Sequence, residues 1–184
     1  MPSKAMMNLA VIVIQVFVVG CAGPKFMSHS SGPHEILAPV PSCDSISLRM
    51  KYNTQFDSIL TDILRKELLK EQLYSFIRVI PYDGNITTRL LIQMYIFDTG
   101  ALSWGTRAMQ HLSESSFGVQ GRLVDQRENR TIITFSKRRS AQGGLLGRGG
   151  LATPTEESMA QQLVEWVVDD IVDVIKEGRT KTFK

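Results

Sequence analysis

Apolar and polar residues alternate from Ser45 to Tyr52, with Ile46, Leu48 and Met50 set against Ser47, Arg49 and Lys51. A period of two predicts a half-buried strand. The period then changes. Phe56, Ile59, Leu60, Ile63, Leu64 and Leu68 recur at three and four, one face of a helix ending near Leu73, with Asn53 or Thr54 as its cap. Asp57, Asp62, Arg65, Lys66 and Lys70 form the opposite, solvated face. Ser75 to Tyr82 reads as a strand through Phe76, Ile77, Val79 and Ile80, and Pro81 with Asp83-Gly84-Asn85 ends it in a turn. Thr88 to Phe97 carries Leu90, Ile92, Met94 and Ile96 on one side and Leu91, Tyr95 and Phe97 on the other, which predicts a central strand. Ser116 to Val124 and Thr131 to Ser136 predict a hairpin around the polar loop 125–129. The last helix opens with Thr153 as N-cap, Pro154 at its first position and Glu156 completing a capping box. Its stripe is Ala160, Leu163, Val164, Val167, Val168, Ile171, Val172 and Ile175, and Gly178 is placed as its terminator.

These elements run β-α-β-β-β-β-α over residues 45–178, followed by a polar tail, 179–184. Strands flanked by amphipathic helices need one covered sheet face. The expected fold is therefore α+β: a two-layer sandwich, mainly an antiparallel sheet with two helices on one face. The first strand is expected to reach the second through the helical crossover.

The amino terminus follows a different pattern. Lys4 precedes an uncharged apolar run, Leu9 to Val19, which is too short for the ~20 residues of a membrane-spanning helix. A basic start, a short apolar run and small residues after it read as a signal peptide over 1–20. Val18-Val19-Gly20-Cys21 resembles the lipobox of bacterial lipoproteins, which implies lipidation of Cys21 and a membrane anchor. Residues 21–44 hold Pro24, Pro33, Pro39 and Pro41 among serines and read as the lipidated Cys and a flexible tether, with a span on the order of 25–30 Å. Deleting 24–42 is then expected to leave the melting temperature nearly unchanged. Docking of Ile36-Leu37-Ala38 on the domain is the alternative.

Composition narrows the chemistry. The 184-residue chain has a net charge of +3, close enough to neutral that nothing argues for nucleic acid. With Cys21 lipidated, Cys43 has no disulfide partner, and His29, His34 and His111 form no metal-ligand cluster with it. No metal and no cofactor are expected. The glycine-rich loop 143–150 lacks the Gly-Lys-Ser/Thr of a phosphate loop, since Gly147-Arg148-Gly149 stands there. Its Leu145 and Leu146, with Arg138, Arg139 and Arg148 nearby, suit a contact tip for a protein partner or lipid head groups; a plain linker is the simpler reading. Trp104 and Arg107, in the long loop 98–114, are the second contact candidates, against a plug on the core. His111 and Glu114 with nearby serines would be the material of a hydrolase, but no serine has a nucleophile-elbow setting. No catalytic residue is assigned.

From about Phe56 to Ile175 the chain resembles a family of small bacterial lipoproteins known only as a domain of unknown function. The resemblance rests on the helix and strand from Leu60 to Val79, and on the segment Asp98-Thr99-Gly100 to Arg107. It also rests on the hairpin of Gly121 to Asp125 with Thr131 to Ser136, and on the Gly-Gly-Leu-Leu-Gly loop before the last helix. The loop 108–116 departs from the family pattern. By architecture the family is similar to the amino-terminal domain of TolB. That likeness of fold transfers no function; the first reading is a binding or scaffolding component of the envelope, with an unidentified protein partner. Ala22 follows Cys21 where an Asp would favour inner-membrane retention, which implies an outer-membrane anchor facing the periplasm. A lipid-transport subunit, with an apolar groove lined by Leu91, Tyr95 and Phe97, is the first alternative, and an envelope hydrolase the second.

Overall fold

The computed structural model describes residues 28–51, 56–99, 114–142 and 156–181. The described residues form nine elements, in chain order β1 (Ser28–Ser31), β2 (His34–Ile36), β3 (Ser45–Met50), α1 (Asp57–Lys70), β4 (Phe76–Ile80), β5 (Leu90–Asp98), β6 (Glu114–Asp125), β7 (Arg130–Gln142) and α2 (Glu156–Thr180). From β3 onward this is the expected β-α-β-β-β-β-α, an α+β fold with both helices on one face of the sheet.

The seven-stranded sheet is ordered β1-β7-β6-β5-β3-β4, with β2 also on β7. The antiparallel meander covers β5, β6 and β7. β3 lies between β4 and β5 and is parallel to both. Parallel neighbours cannot be joined by a tight turn. The β3–β4 connection is helix α1, as the crossover expectation has it. The β4–β5 connection, 81–89, returns past β3 as a strap instead of closing a local turn. Arg49 Nη2 donates to Gly84 O at 2.6 Å, and Thr88 Oγ1 donates to Ser47 Oγ at 2.7 Å. These bonds tie the strap to β3. Ser47, and Leu91 at 1% exposure, are buried although their strand neighbours point toward the helices.

The helix-side core joins Ile46, Leu48, Leu90, Ile92, Leu123 and Phe117 of the sheet to Leu60, Leu64 and Leu68 of α1 and to the α2 stripe from Leu163 to Ile175. The helical periods predicted both sets, with one exception: Ile59 is exposed. Helix α1 starts after Phe56, whose side chain supplies no cap; Asn53 and Thr54 lie outside the described residues. So do Thr153, Pro154 and the side chain of Ala160. Gly178 does not end α2, which continues to Thr180. A Cβ at 178 would stand 2.7 Å from Ile133 Cδ1 and 2.9 Å from Val40 Cγ2. The residue is glycine because the helix approaches β7 and the described amino-terminal leader, 28–44, closely, not because the helix stops.

The flexible tether is corrected over its described part, 28–44. β1 and β2 pair antiparallel with β7, Ser31 opposite Arg138 and Ile36 opposite Ile133. Gly32 joins them at φ +127°, a backbone region that favours glycine. Ile36, Ala38 and Val40 are buried in the core, and Val40 N–H donates to Gly178 O at 3.2 Å. The prolines space this chain without preventing docking, because β7 offers a free edge. For the same reason β7 continues through Lys137, Arg138 and Arg139 to Gln142, where a loop was expected to begin.

Candidate functional site

Among the described residues, the helices leave the second face of the sheet uncovered, and the strap roofs only part of it. Polar members of the strand alternations point there. Register aligns them: Arg49 of β3 is opposite Gln93 of β5, Gln93 opposite Arg122 of β6, and Arg122 opposite Thr134 of β7. One transverse row therefore reads Arg, Gln, Arg, Thr. Arg49 and Arg122 flank Gln93 from adjacent strands, about 9–10 Å apart along the sheet. Tyr95 and Gln120 face each other in a second row, and Lys51 extends the cationic side beyond Arg49.

These residues, with Tyr82 of the strap, line a cavity of 340 Å³ that opens to solvent. Its other lining residues are Met94 and Gly121, and none is a carboxylate. Arg122 Nε donates to Gln93 Oε1 at 2.9 Å, and the Tyr95 hydroxyl bonds Gln120 Oε1. Lys51 Nζ stands 5.7 Å from the centre of the Tyr95 ring, a cation–π distance. Arg49 Nε is buried with no hydrogen-bond partner among the described residues. By contrast, Arg89, Arg138 and Arg139 each hold an aspartate: Asp125 at 2.7 Å, Asp98 at 2.5 Å and Asp170 at 2.6 Å. Neither Arg49 nor Arg122 has such a partner among the described residues.

No known family model matches the chain. No curated protein matches it either. Solved structures with a similar fold include the PelC dodecamer from Paraburkholderia phytofirmans, at 14% identity and TM-score 0.44, over 77% of this chain and 95% of that one. A DUF330 protein from Xanthomonas campestris aligns at 11% identity and TM-score 0.45, over 79% and 95%. Rare lipoprotein B from Shewanella oneidensis aligns at 10% identity and TM-score 0.39, over 72% and 94%. At TM-scores below 0.5 none of these likenesses assigns it an activity, a ligand or an assembly.

Of the contact residues expected from sequence, Cys21, Trp104, Arg107, Leu145, Leu146 and Arg148 lie outside the described residues, as does His111. Arg138 and Arg139 are described and engaged within the protein. Arg138 pairs with Asp98 on the neighbouring part of the sheet, and Arg139 grips Asp170 of α2 with both Nε and Nη2. They pin β7 to its neighbours. Among the described residues, the three side chains named for the apolar groove of the lipid-transport alternative do not line one space. Leu91 is buried under the strap, Phe97 is exposed away from the cavity, and only Tyr95 of the three lines it.

The residues that do build the cavity were visible only as the outward half of each alternation. A polar position opposite a core position reads as solvated surface unless the register is known, and register is a property of the folded sheet. Cys43 is a free, half-buried thiol. Burial pushes its pKa up, against the lowering by Arg179, so it is not poised as a nucleophile. Among the described residues no three His, Cys, Asp or Glu side chains come together as metal ligands, and no helix is long and apolar enough to cross a membrane.

Proposed function

We propose that this chain is a lipid-anchored binding component of the bacterial envelope, held through Cys21 on the periplasmic face of the outer membrane and working without catalysis of its own. The lipobox pattern Val18-Val19-Gly20-Cys21 after a short apolar run supports the anchor, and Ala22 supports the outer membrane. The observation that carries the binding role is the cavity on the uncovered sheet face. Its polar groups stand on adjacent strands held in register by backbone hydrogen bonds, so they are positioned before any partner arrives. Its lining offers cations, phenols and amides, the chemistry of recognition.

Two measurements test the reading. Cys21→Ser should abolish lipid labelling and remove the chain from the membrane fraction; equal labelling of the variant would refute the anchor. Affinity isolation of the lipidated chain from envelopes should lose its companions on Arg122→Glu in the cavity. It should keep them on Arg65→Glu, on the exposed surface of α1. The reverse pattern would move the working surface to the helical side.

A further inference from the structure

We propose that the open-face cavity binds an acidic sugar, a hydroxylated ring bearing a carboxylate or phosphate. This deepens the binding function above and rests on the uncovered sheet face being its working surface.

Charge is the first argument. Arg49, Lys51 and Arg122 line one 340 Å³ space with no carboxylate among the described residues of its walls. Like charges gathered in a recess repel one another, and an anion seated among them relieves that repulsion and accepts charge-assisted hydrogen bonds. Elsewhere the protein places aspartates against Arg89, Arg138 and Arg139. Arg49 and Arg122 have no such aspartate among the described residues, and Arg49 Nε is buried without an acceptor there.

The remaining walls decide which anion. A bare inorganic anion needs only the cations. This cavity adds the rings of Tyr82 and Tyr95, and Tyr82 holds 62% of its surface in solvent on the strap. An exposed ring with a polar tip is a platform for the C–H face of a sugar. Gln93, Gln120 and Thr134 carry both donors and acceptors, which match hydroxyls in either role. An acyl chain would require apolar walls, and the one aliphatic residue of size in the lining, Met94, is buried in the helix-side core. The volume holds one sugar unit with its charged group, at the small end of ligand pockets.

The experiment is calorimetric titration of the full chain, in a non-ionic polyoxyethylene detergent, with glucuronate, glucose 6-phosphate, glucose, inorganic phosphate and uridine monophosphate. Phosphatidylglycerol vesicles are tested in parallel by flotation. Glucuronate and glucose 6-phosphate should bind, and glucose and phosphate should bind at least about tenfold more weakly. Arg122→Gln should weaken the acidic sugars about tenfold or more with an unchanged melting temperature, since its side chain is exposed. Tyr82→Ala, on the exposed strap, should weaken the sugars while leaving phosphate unaffected. Phosphate binding as tightly as glucose 6-phosphate would overturn the sugar and leave a simple anion site. Preference for the nucleotide, or vesicle binding that Arg122→Gln abolishes while free sugars do not bind, would also overturn it. Lipidation and membrane fractionation do not enter this titration, so its failure would leave the anchored-lipoprotein reading standing.

Discussion

Asp125 shows how much one side chain can organise. Its carboxylate is 1% exposed at the end of β6. Arg89 reaches Oδ2 through Nε at 3.0 Å and Nη2 at 2.7 Å, while Oδ1 accepts the Arg127 N–H at 2.9 Å and the Glu128 N–H at 3.4 Å. One residue thus closes the β6–β7 turn and ties it to the start of β5. The Arg89 hydrogen bonds hold the carboxyl below the usual carboxylate range, more than burial raises it. A folded pKa below the unfolded one means stability that is present above the unfolded value, near 4, and is lost as pH falls through the folded one. Asp125→Ala should cost about 1–3 kcal/mol at neutral pH, because four part-buried hydrogen bonds lose their charged acceptor. The gap from wild type should narrow as pH falls below about 4, measured by urea denaturation across that range. A gap independent of pH would remove the charge from this account.

At the scale of elements, the amino-terminal ribbon is the main departure from expectation. Its composition reads as a tether, yet Ile36, Ala38 and Val40 fill the space between β7 and the end of α2. His34 adds bridging contacts on the same side, to Lys137 Nζ at 3.2 Å and to Glu177 Oε2 at 3.0 Å. Ile36→Ala should therefore destabilise the protein by about 2–4 kcal/mol, within the range of large-to-small core changes. Deletion of 24–42 should lower the melting temperature by many degrees. Thermal melts of both variants would decide between a docked leader and a tether, and an unchanged melting temperature would favour the tether. The composition misled because proline content reports what a segment cannot do alone. It says nothing of the free sheet edge that accepts β1 and β2.

At the scale of the whole molecule, the two faces of the sheet have divided labour. One is covered by α1 and α2 and supplies the core. The other is left to the strap and to the cavity. Val168 and Ile171 of α2 have no exposed surface. Val168→Asp or Ile171→Asp places an unpaired carboxylate there, at a cost of several kcal/mol against a typical total of 5–15 kcal/mol. Either variant should be unfolded by circular dichroism at 37 °C. Native spectra would mean that α2 does not close the sandwich through this stripe.

The chain's own periodicities determined its element types, their order and the faces they bury. A stripe at three and four, or an alternation at two, is written in consecutive residues and needs no partner to be read. The packing of Leu60, Leu64 and Leu68, of the α2 stripe, and of Ile46 and Leu48 was legible for that reason. Strand order, the parallel pairing of β3 with both neighbours, the strap over Ser47 and Leu91, and the docking of the leader on β7 were decided only in three dimensions. So was the cavity. Arg49, Gln93, Arg122 and Thr134 are separated by long stretches of chain and become one row only when four strands settle in register. Local patterns record which side of an element turns inward. The neighbours of the outward side are set by loop closure and pairing across the sheet, where the energies are collective and no single stretch of sequence carries them.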